Sequence, residues 1–285
     1  MRYAVFTAST PDWTPEEAVA QLAAQGWDGI EWRVTDQEQA QPPGFWAGNR
    51  ATVPLTGLEE QLPRIAAITR AAGLAVSGLG AYVPAADHAN VERVLAAAAT
   101  LGAGRVRVTM PQLGSGDYRE LMDRTRRDLA RIADRAADHG VTALVELHHG
   151  TIVASASAAM RLLDGLAPQH VGVIHDIGNL AIEGFEDPLA AFQMLGPHLA
   201  HVHIKNVAWL VTGTRADGGP RWSAEWAPLR EGQADIEAYF VALRRFGYDG
   251  WVTVEDFSTA VPLAERTRAN LAYVRELDQR VRTSE

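Results

Sequence analysis

The chain of 285 residues is 47% hydrophobic and 21% charged with 25 Gly and 14 Pro, which excludes a disordered, collagen-like or coiled-coil protein. Its 26 basic and 35 acidic residues give a formal charge of −9, and such a chain is a poor binder of nucleic-acid phosphates or an anionic membrane surface. The lack of cysteine removes disulfides, cysteine-ligated zinc and thiol nucleophiles together and fits a reducing cytoplasm.

The opening MRYAVFTASTPDW has no basic-then-apolar leader pattern. The longest apolar stretch, about Val94 to Ala99, is far short of the ~20 residues of a membrane span. Strand signals RYAVF (from Arg2) and DGIEWR (from Asp28) flank a helical stretch, Pro15 to Gln25. A long connection from Gln37 to Thr56 follows, carrying Pro42, Pro43, Gly44, Phe45 and Trp46. Helical periodicity over Leu58 to Ala72 leads to LAVSGLG (from Leu74), and Val91 to Leu101 leads to RVRVTM (from Arg105). Tyr118 to His139 then precedes VTALVELHH (from Val141), VGVIHD (from Val171) and LAHVHIK (from Leu199). A second long connection, Asn206 to Ala234, carries Trp209, Trp222 and Trp226 before the last strand, GWVTVED (from Gly250).

Gly26, Gly73, Gly102, Gly140 and Gly247 each close a helical stretch ahead of a strand. Strands alternating with helices predict a parallel sheet. About eight such units without a composition break predict one α/β domain over residues 1–285, a single closed (β/α)8 TIM barrel rather than two doubly wound domains. The two long connections, about 37–56 and 206–234, then lie at the C-terminal face, as lids or as loops packed on the rim.

Side chains two apart in a strand share a face. Leu144, Glu146 and His148 share one, as do Gly172, Ile174 and Asp176; His201, His203 and Lys205; and Trp251, Thr253 and Glu255. Four successive strands thus end in Glu146, Asp176, His203 and Glu255. An acid at a strand end is ordinarily a helix cap or an ion-pair partner. Three carboxylates and an imidazole converging in one mouth instead call for a divalent cation, because like charges held close and desolvated raise each other's pKa. Oxygen-rich ligands with one histidine suit Mn²⁺ first, with Mg²⁺, Co²⁺, Fe²⁺ and Zn²⁺ as alternatives.

Lys205, the one lysine of the chain, falls on the same face. Arg107 points into the mouth, either toward a substrate carboxylate, phosphate or hydroxyl or into an internal pair with an acid such as Glu31. His148 is placed to touch substrate, whereas His149 and His175 are expected to point away as structural residues. Gly114, Ser115 and Gly116 open a helix where an anion could rest, or form an ordinary cap turn.

At these residues the sequence resembles the sugar phosphate isomerase/epimerase family of xylose-isomerase-like barrels. The matching pieces are GIEWRV (Glu31, Arg33), VELHHG, HDIGNLAIEGFE, HVHIKN, PLREGQADI (Pro228 to Ile236) and GYDGWVTVEDF. The resemblance implies that Glu146, Asp176, His203 and Glu255 ligate the metal. It also implies that Glu146 and Glu255 act as the acid/base pair of a divalent-metal-dependent sugar isomerase or epimerase, working on a ketose or polyol ketone through a metal-bound enediolate. Lys205, Arg107, Asn179 and Trp32 are the expected substrate contacts. Asn179 departs from the family pattern, in which many epimerases carry histidine three residues after the aspartate.

The same enolate chemistry serves two lyase alternatives. One is β-elimination from a 3-keto-glycoside, with His148 as the favoured base and some such deglycosidase subunits needing a small partner protein. The other is dehydration of a cyclic hydroxy-ketone. A sugar-binding or scaffolding barrel without catalysis is the reading from a different class. The expected ligand is a small sugar or polyol ketone, with no nucleic acid, no membrane, and a homo-oligomer or small partner subunit as options.

Overall fold

The computed structural model describes residues 1–283, in which eight parallel strands close into a barrel. In chain order the elements are β1 (Arg2–Phe6), α1 (Pro15–Gln25), β2 (Gly29–Val34), α2 (Leu58–Ala71), β3 (Ala75–Pro84), α3 (His88–Leu101), β4 (Arg105–Thr109) and α4 (Tyr118–His139). They continue with β5 (Thr142–Glu146), α5 (Ala156–Leu163), β6 (Val171–Asp176), α6 (Ile177–Ile182), α7 (Pro188–Leu195) and β7 (Leu199–Ile204). The chain ends with β8 (Asn206–Thr214), β9 (Pro220–Ala227), α8 (Ile236–Phe246), β10 (Trp251–Val254) and α9 (Leu263–Thr283). Strand β10 closes the ring by pairing with β1 on one side and β7 on the other.

Local chemistry sets these boundaries. Thr14 and Glu17 form a reciprocal capping box at α1, with Pro15 in the first turn. Asp87, Asp117, Ser155, Asp187 and Asp235 accept backbone N–H bonds at the starts of α3, α4, α5, α7 and α8. At α4 the Asp117 carboxylate takes the N–H groups of Arg119 and Glu120, so the Gly114–Gly116 segment leads into an ordinary cap and not an anion site.

Alternation in the strands separates two environments. Ile30, Val106, Val145, Val173, Val202 and Val252 face outward and join the helices in the main core. Trp32 belongs to that same outer layer and is fully buried. Its neighbours Glu31 and Arg33 face the interior, so the expectation that Trp32 touches substrate fails by one step of the strand period.

The connection 206–234 is not a loop, because β8 and β9 pair antiparallel as a hairpin. Its turn is Arg215-Ala216-Asp217-Gly218, closed by the Gly218 N–H on the Arg215 carbonyl; Gly218 takes φ +84 and Asp217 Oδ1 accepts the Gly219 N–H. The connection 37–56 has no regular element of its own and is tied down by Arg33 and Asn49. Among the described residues, no helix is long and apolar enough to cross a membrane.

His175 does point away from the mouth. Tyr239 Oη donates to the His175 carbonyl at 3.1 Å, so the ring's Nδ1–H donates to Tyr239 Oη at 2.7 Å and Nε2 is left bare in an apolar layer. Burial lowers the ring to about 3, from an unfolded value near 6.5. Folded protein therefore binds this proton less readily than unfolded chain, and stability is lost as pH falls from about 6.5 toward about 3. Urea unfolding at pH 7 and pH 4.5 should show an extra loss of about 2–3 kcal/mol in wild type that is missing from His175→Gln. Parallel losses in both proteins would remove this histidine from the account.

Candidate metal centre at the barrel mouth

Strand register brings the charged ends together. Asp176 pairs with His203 across β6 and β7, and His203 with Thr253 across β7 and β10. One ligand atom each from Glu146, Asp176, His203 and Glu255 lies within 4.8 Å of all the others, and all four residues are buried. Gly178 makes room for the neighbouring lysine, since a Cβ there would collide with the Lys205 side chain.

The charges are interlocked. Lys205 Nζ pairs with Asp176 Oδ2 at 2.7 Å and Glu255 Oε2 at 2.9 Å, and stands 4.0 Å from Glu146 Oε1. Arg107 Nη1 donates to Glu146 Oε2 at 2.6 Å. Burial raises Glu146, but Arg107, His203 and Lys205 together hold it well below the usual carboxylate range. Glu255 is likewise lowered against its burial, by Lys205 and His203. Asp176 moves the other way: burial, reinforced by the Glu255 and Glu146 charges, pushes it up to about 7 despite Lys205. His203, held well above the ordinary imidazole range against its burial by Glu31 and Glu255, shares in this compensation.

The fit to a divalent ion rests on His203. Its Nε2–H donates to Glu31 Oε2 at 3.0 Å, which leaves Nδ1 on the side of the carboxylates. Nδ1 faces Glu255 Oε1 at 2.8 Å without hydrogen-bond geometry, and both atoms are buried with no hydrogen-bond partner. A cation between them satisfies an imidazole lone pair and a carboxylate oxygen at once. A carboxylate on the far ring nitrogen is the usual support of a metal-bound histidine. Glu31, His201 and His203 form a second cluster one layer deeper. There His201 Nε2 lies 2.9 Å from Glu31 Oε2 and 3.0 Å from Thr253 Oγ1, so that layer reads as hydrogen-bonded support.

Several expectations change on contact with the structure. Arg107 does form an internal pair, but with Glu146, while Glu31 serves His201 and His203. Asn179 is fully buried and spends its amide on the site. Its Nδ2 reaches Glu146 Oε1, the Leu147 carbonyl and Asp176 Oδ2 at 3.1–3.2 Å, and its Oδ1 accepts from His149 Nδ1 at 2.9 Å. An amide committed in this way orients the Glu146 and Asp176 carboxylates from within the barrel. His149 does not point away: β5 ends at Glu146, the alternation stops there, and His149 stacks on His148 with ring centroids 4.4 Å apart.

A cavity of about 200 Å³ opens beside the cluster, bounded by Glu146, Arg107, His148, Tyr82 and Trp46 among others. Both long connections reach it or its rim. Phe45 and Trp46 from the first and Trp226 from the hairpin meet Phe257, at 5.2, 4.9 and 5.4 Å between centroids. Trp226 also stands 5.5 Å from Lys205 Nζ. Trp209 packs on the rim, its indole N–H on the Ala181 carbonyl, and Trp222 is exposed. Tyr82 lies beyond Gly80, the expected end of the third strand; the strand runs on to Pro84, and the alternation Gly78, Gly80, Tyr82 is the signal for it.

Comparison with known proteins agrees with this architecture. The family model for the xylose isomerase-like TIM barrel matches residues 19–277. An inosose dehydratase of Lacticaseibacillus casei is 29% identical over 138 residues, covering 47% of this chain and 46% of that protein. An inosose dehydratase of Geobacillus thermodenitrificans is 30% identical over 156 residues, covering 52% of each. The chain thus spans about half the length of the curated relatives it matches. The crystal structure of the 3-keto-D-glucoside 4-epimerase YcjR from E. coli superimposes with a TM-score of 0.73 at 18% identity, over 97% of this chain and 99% of that one.

Proposed function

The chain belongs to the xylose isomerase-like TIM barrel family, and from that premise we propose that it is a divalent-metal-dependent sugar isomerase or epimerase acting on a ketose or polyol ketone. The observation that carries this reading is the pair of glutamates, Glu146 at the end of β5 and Glu255 just past the end of β10, inside one buried cluster with Asp176 and His203. A binding barrel has no use for two buried glutamates so arranged. A divalent ion held by these four residues supplies Lewis-acid polarisation of the carbonyl and its neighbouring hydroxyl, which acidifies the C–H between them.

The chain's own groups do the rest. Glu255 takes the proton from the carbon beside the carbonyl, the C–H electron pair becomes the new C=C bond, and the carbonyl oxygen gains the negative charge. Lys205, held positive against its burial by Asp176, Glu255 and Glu146, stands where that charge develops. Return of that proton from Glu255 to the adjacent carbon exchanges aldose and ketose; for the epimer, Glu146 first takes a proton from the substrate's neighbouring hydroxyl and delivers it to the other face, and Glu255 returns its own proton to that oxygen through solvent. Arg107 and Asn179 keep Glu146 oriented throughout. The aromatic rim of Trp46, Trp226 and Phe257 limits water access to the intermediate.

A lyase is the second reading, favoured by His148. The His149 carbonyl accepts from His148 Nδ1 at 2.7 Å, so Nε2 carries the lone pair, and burial lowers the ring's pKa and keeps it neutral. A neutral imidazole lining the cavity is equipped to serve the loss of a β-hydroxyl or aglycone. The similarity to inosose dehydratases points the same way.

Liquid chromatography with mass detection of products from ketoses, inososes and 3-keto-glycosides separates the two. The expected outcome is an isobaric product, abolished by EDTA and restored by Mn²⁺. A product lighter by one water, or a released aglycone, replaces the first reading with the second. Turnover that survives complete metal removal contradicts both.

A further inference from the structure

Two guanidinium groups enter the mouth from β2 and β4 on either side of Gly80, which pairs with both Arg33 and Arg107 in the barrel register. Gly80 leaves that space to Phe6, because a Cβ there would collide with the Phe6 ring. Arg33 is 3% exposed and Arg107 5%. Both carbons Cζ lie over the Tyr82 ring, at 4.8 and 4.4 Å from its centroid. Tyr82 and Arg107 line the cavity beside the metal cluster.

The two arginines are compensated differently. Arg107 spends Nη1 on Glu146, while its Nη2 is buried with no hydrogen-bond partner. Arg33 uses Nη1 alone for three neutral acceptors, Gln37 Oε1, the Phe45 carbonyl and Thr52 Oγ1, at 3.2, 3.0 and 3.1 Å. Its Nε is buried without a hydrogen-bond partner, and among the described residues no carboxylate pairs with it. A buried guanidinium without a counter-charge is costly, and that of Arg33 lies against Trp46 and Tyr82, two of the side chains that line the cavity.

Resting on the metal-assisted reading of the same site, we propose that the substrate is an acidic polyol ketone whose carboxylate occupies the cavity beside Tyr82 and is balanced by Arg33 and Arg107. Charge chooses carboxylate over phosphate. With a divalent ion bound, the carboxylates of Glu31, Glu146, Asp176 and Glu255 face Arg33, Arg107, Lys205 and the ion, which leaves a single positive charge over. A carboxylate cancels it, whereas a phosphate dianion overshoots. The helix that follows β4 offers no further amides for phosphate, because Asp117 already caps it.

Calorimetry on the full Mn²⁺-loaded chain with D-fructose, 5-keto-D-gluconate and D-fructose 6-phosphate tests this. The carboxylated ketone should bind at least about tenfold more tightly than the neutral one and more tightly than the phosphate ester. In Arg33→Gln the ratio of carboxylated to neutral affinity should fall to within about threefold, with bound metal unchanged, and Arg33→Lys should keep part of it. Equal affinities in wild type, a ratio that survives in Arg33→Gln, or a preference for the phosphate ester overturns the proposal. The wild-type comparison decides even if Arg33→Gln fails to fold, because Arg33 also anchors the 37–56 connection. Binding is read without turnover. A wild-type preference for the carboxylated ketone that collapses in Arg33→Gln, with no reaction on any substrate, therefore sinks only the catalytic reading, and reaction on neutral ketones with a wild-type ratio near one sinks only this proposal.

Discussion

Replacing Glu255 by Gln is expected to lower kcat by about 10³-fold or more while leaving the fold intact. Glutamine keeps the size and one oxygen of the side chain but removes the group that accepts the proton. General acid/base assistance of this kind is worth about 10²–10⁴-fold, and the lost negative charge beside Lys205 and His203 adds to the effect. Lys205 retains Asp176 as a partner at 2.7 Å, so the substitution does not strand a buried ammonium. Single-turnover rates and melting temperature for wild type and variant check the two halves of the claim. A Glu255→Gln protein within about tenfold of wild type would mean that another group takes the proton.

The second large effect is on the metal. His203→Ala and Asp176→Ala each remove one of the four proposed ligand residues, and each should reduce tightly bound Mn²⁺ from about one per chain to a small fraction of that. His203→Ala also leaves Glu31 with only His201 beside it in a fully buried layer, so a lower melting temperature accompanies the loss. Glu31→Gln separates the two causes: every ligand remains, and affinity should fall by about 10–100-fold because the His203 ring is less firmly held. Metal binding should release protons near neutrality, because Asp176 stands at about 7 before a cation neutralises the cluster. Metal content from elemental analysis of dialysed protein reads all three variants. Unchanged metal in both His203→Ala and Asp176→Ala would dissolve the ligand set.

The barrel was legible because each strand carries an unambiguous outward set. Val202 and Ile204 in β7, or Val252 and Val254 in β10, can only face helices, and that choice sends His203 and Glu255 inward. The helix ends were legible for equally local reasons, with Gly26, Gly102, Gly140 and Gly247 all in left-handed cap positions. What sequence alone could not supply was the choice of partner. Glu31 was one example of an acid that could pair with Arg107, and the acid is Glu146, since alternation gives a face and not a height along the barrel axis. His149 and Asn179 lie just past strand ends, where the two-residue period stops and the chain's turn decides direction. Trp32 shows the converse, a large aromatic beside two functional residues that the same period turns toward the helices. The 206–234 segment hid its hairpin because much of both strands is solvent-exposed, so no buried face marked them as strands.

The central claim is that this mouth removes a proton from carbon beside a ketone with the help of its bound metal. Proton NMR in D₂O on Mg²⁺-loaded protein, with neutral and carboxylated ketoses and inososes, reads that step whatever product follows. Deuterium should appear at the carbon adjacent to the carbonyl with wild type, and its appearance should be slowed by about 10³-fold or more in Glu255→Gln. Metal-loaded wild type that exchanges no such hydrogen in any of these ketones, or Glu255→Gln that exchanges it as fast as wild type, would contradict the account.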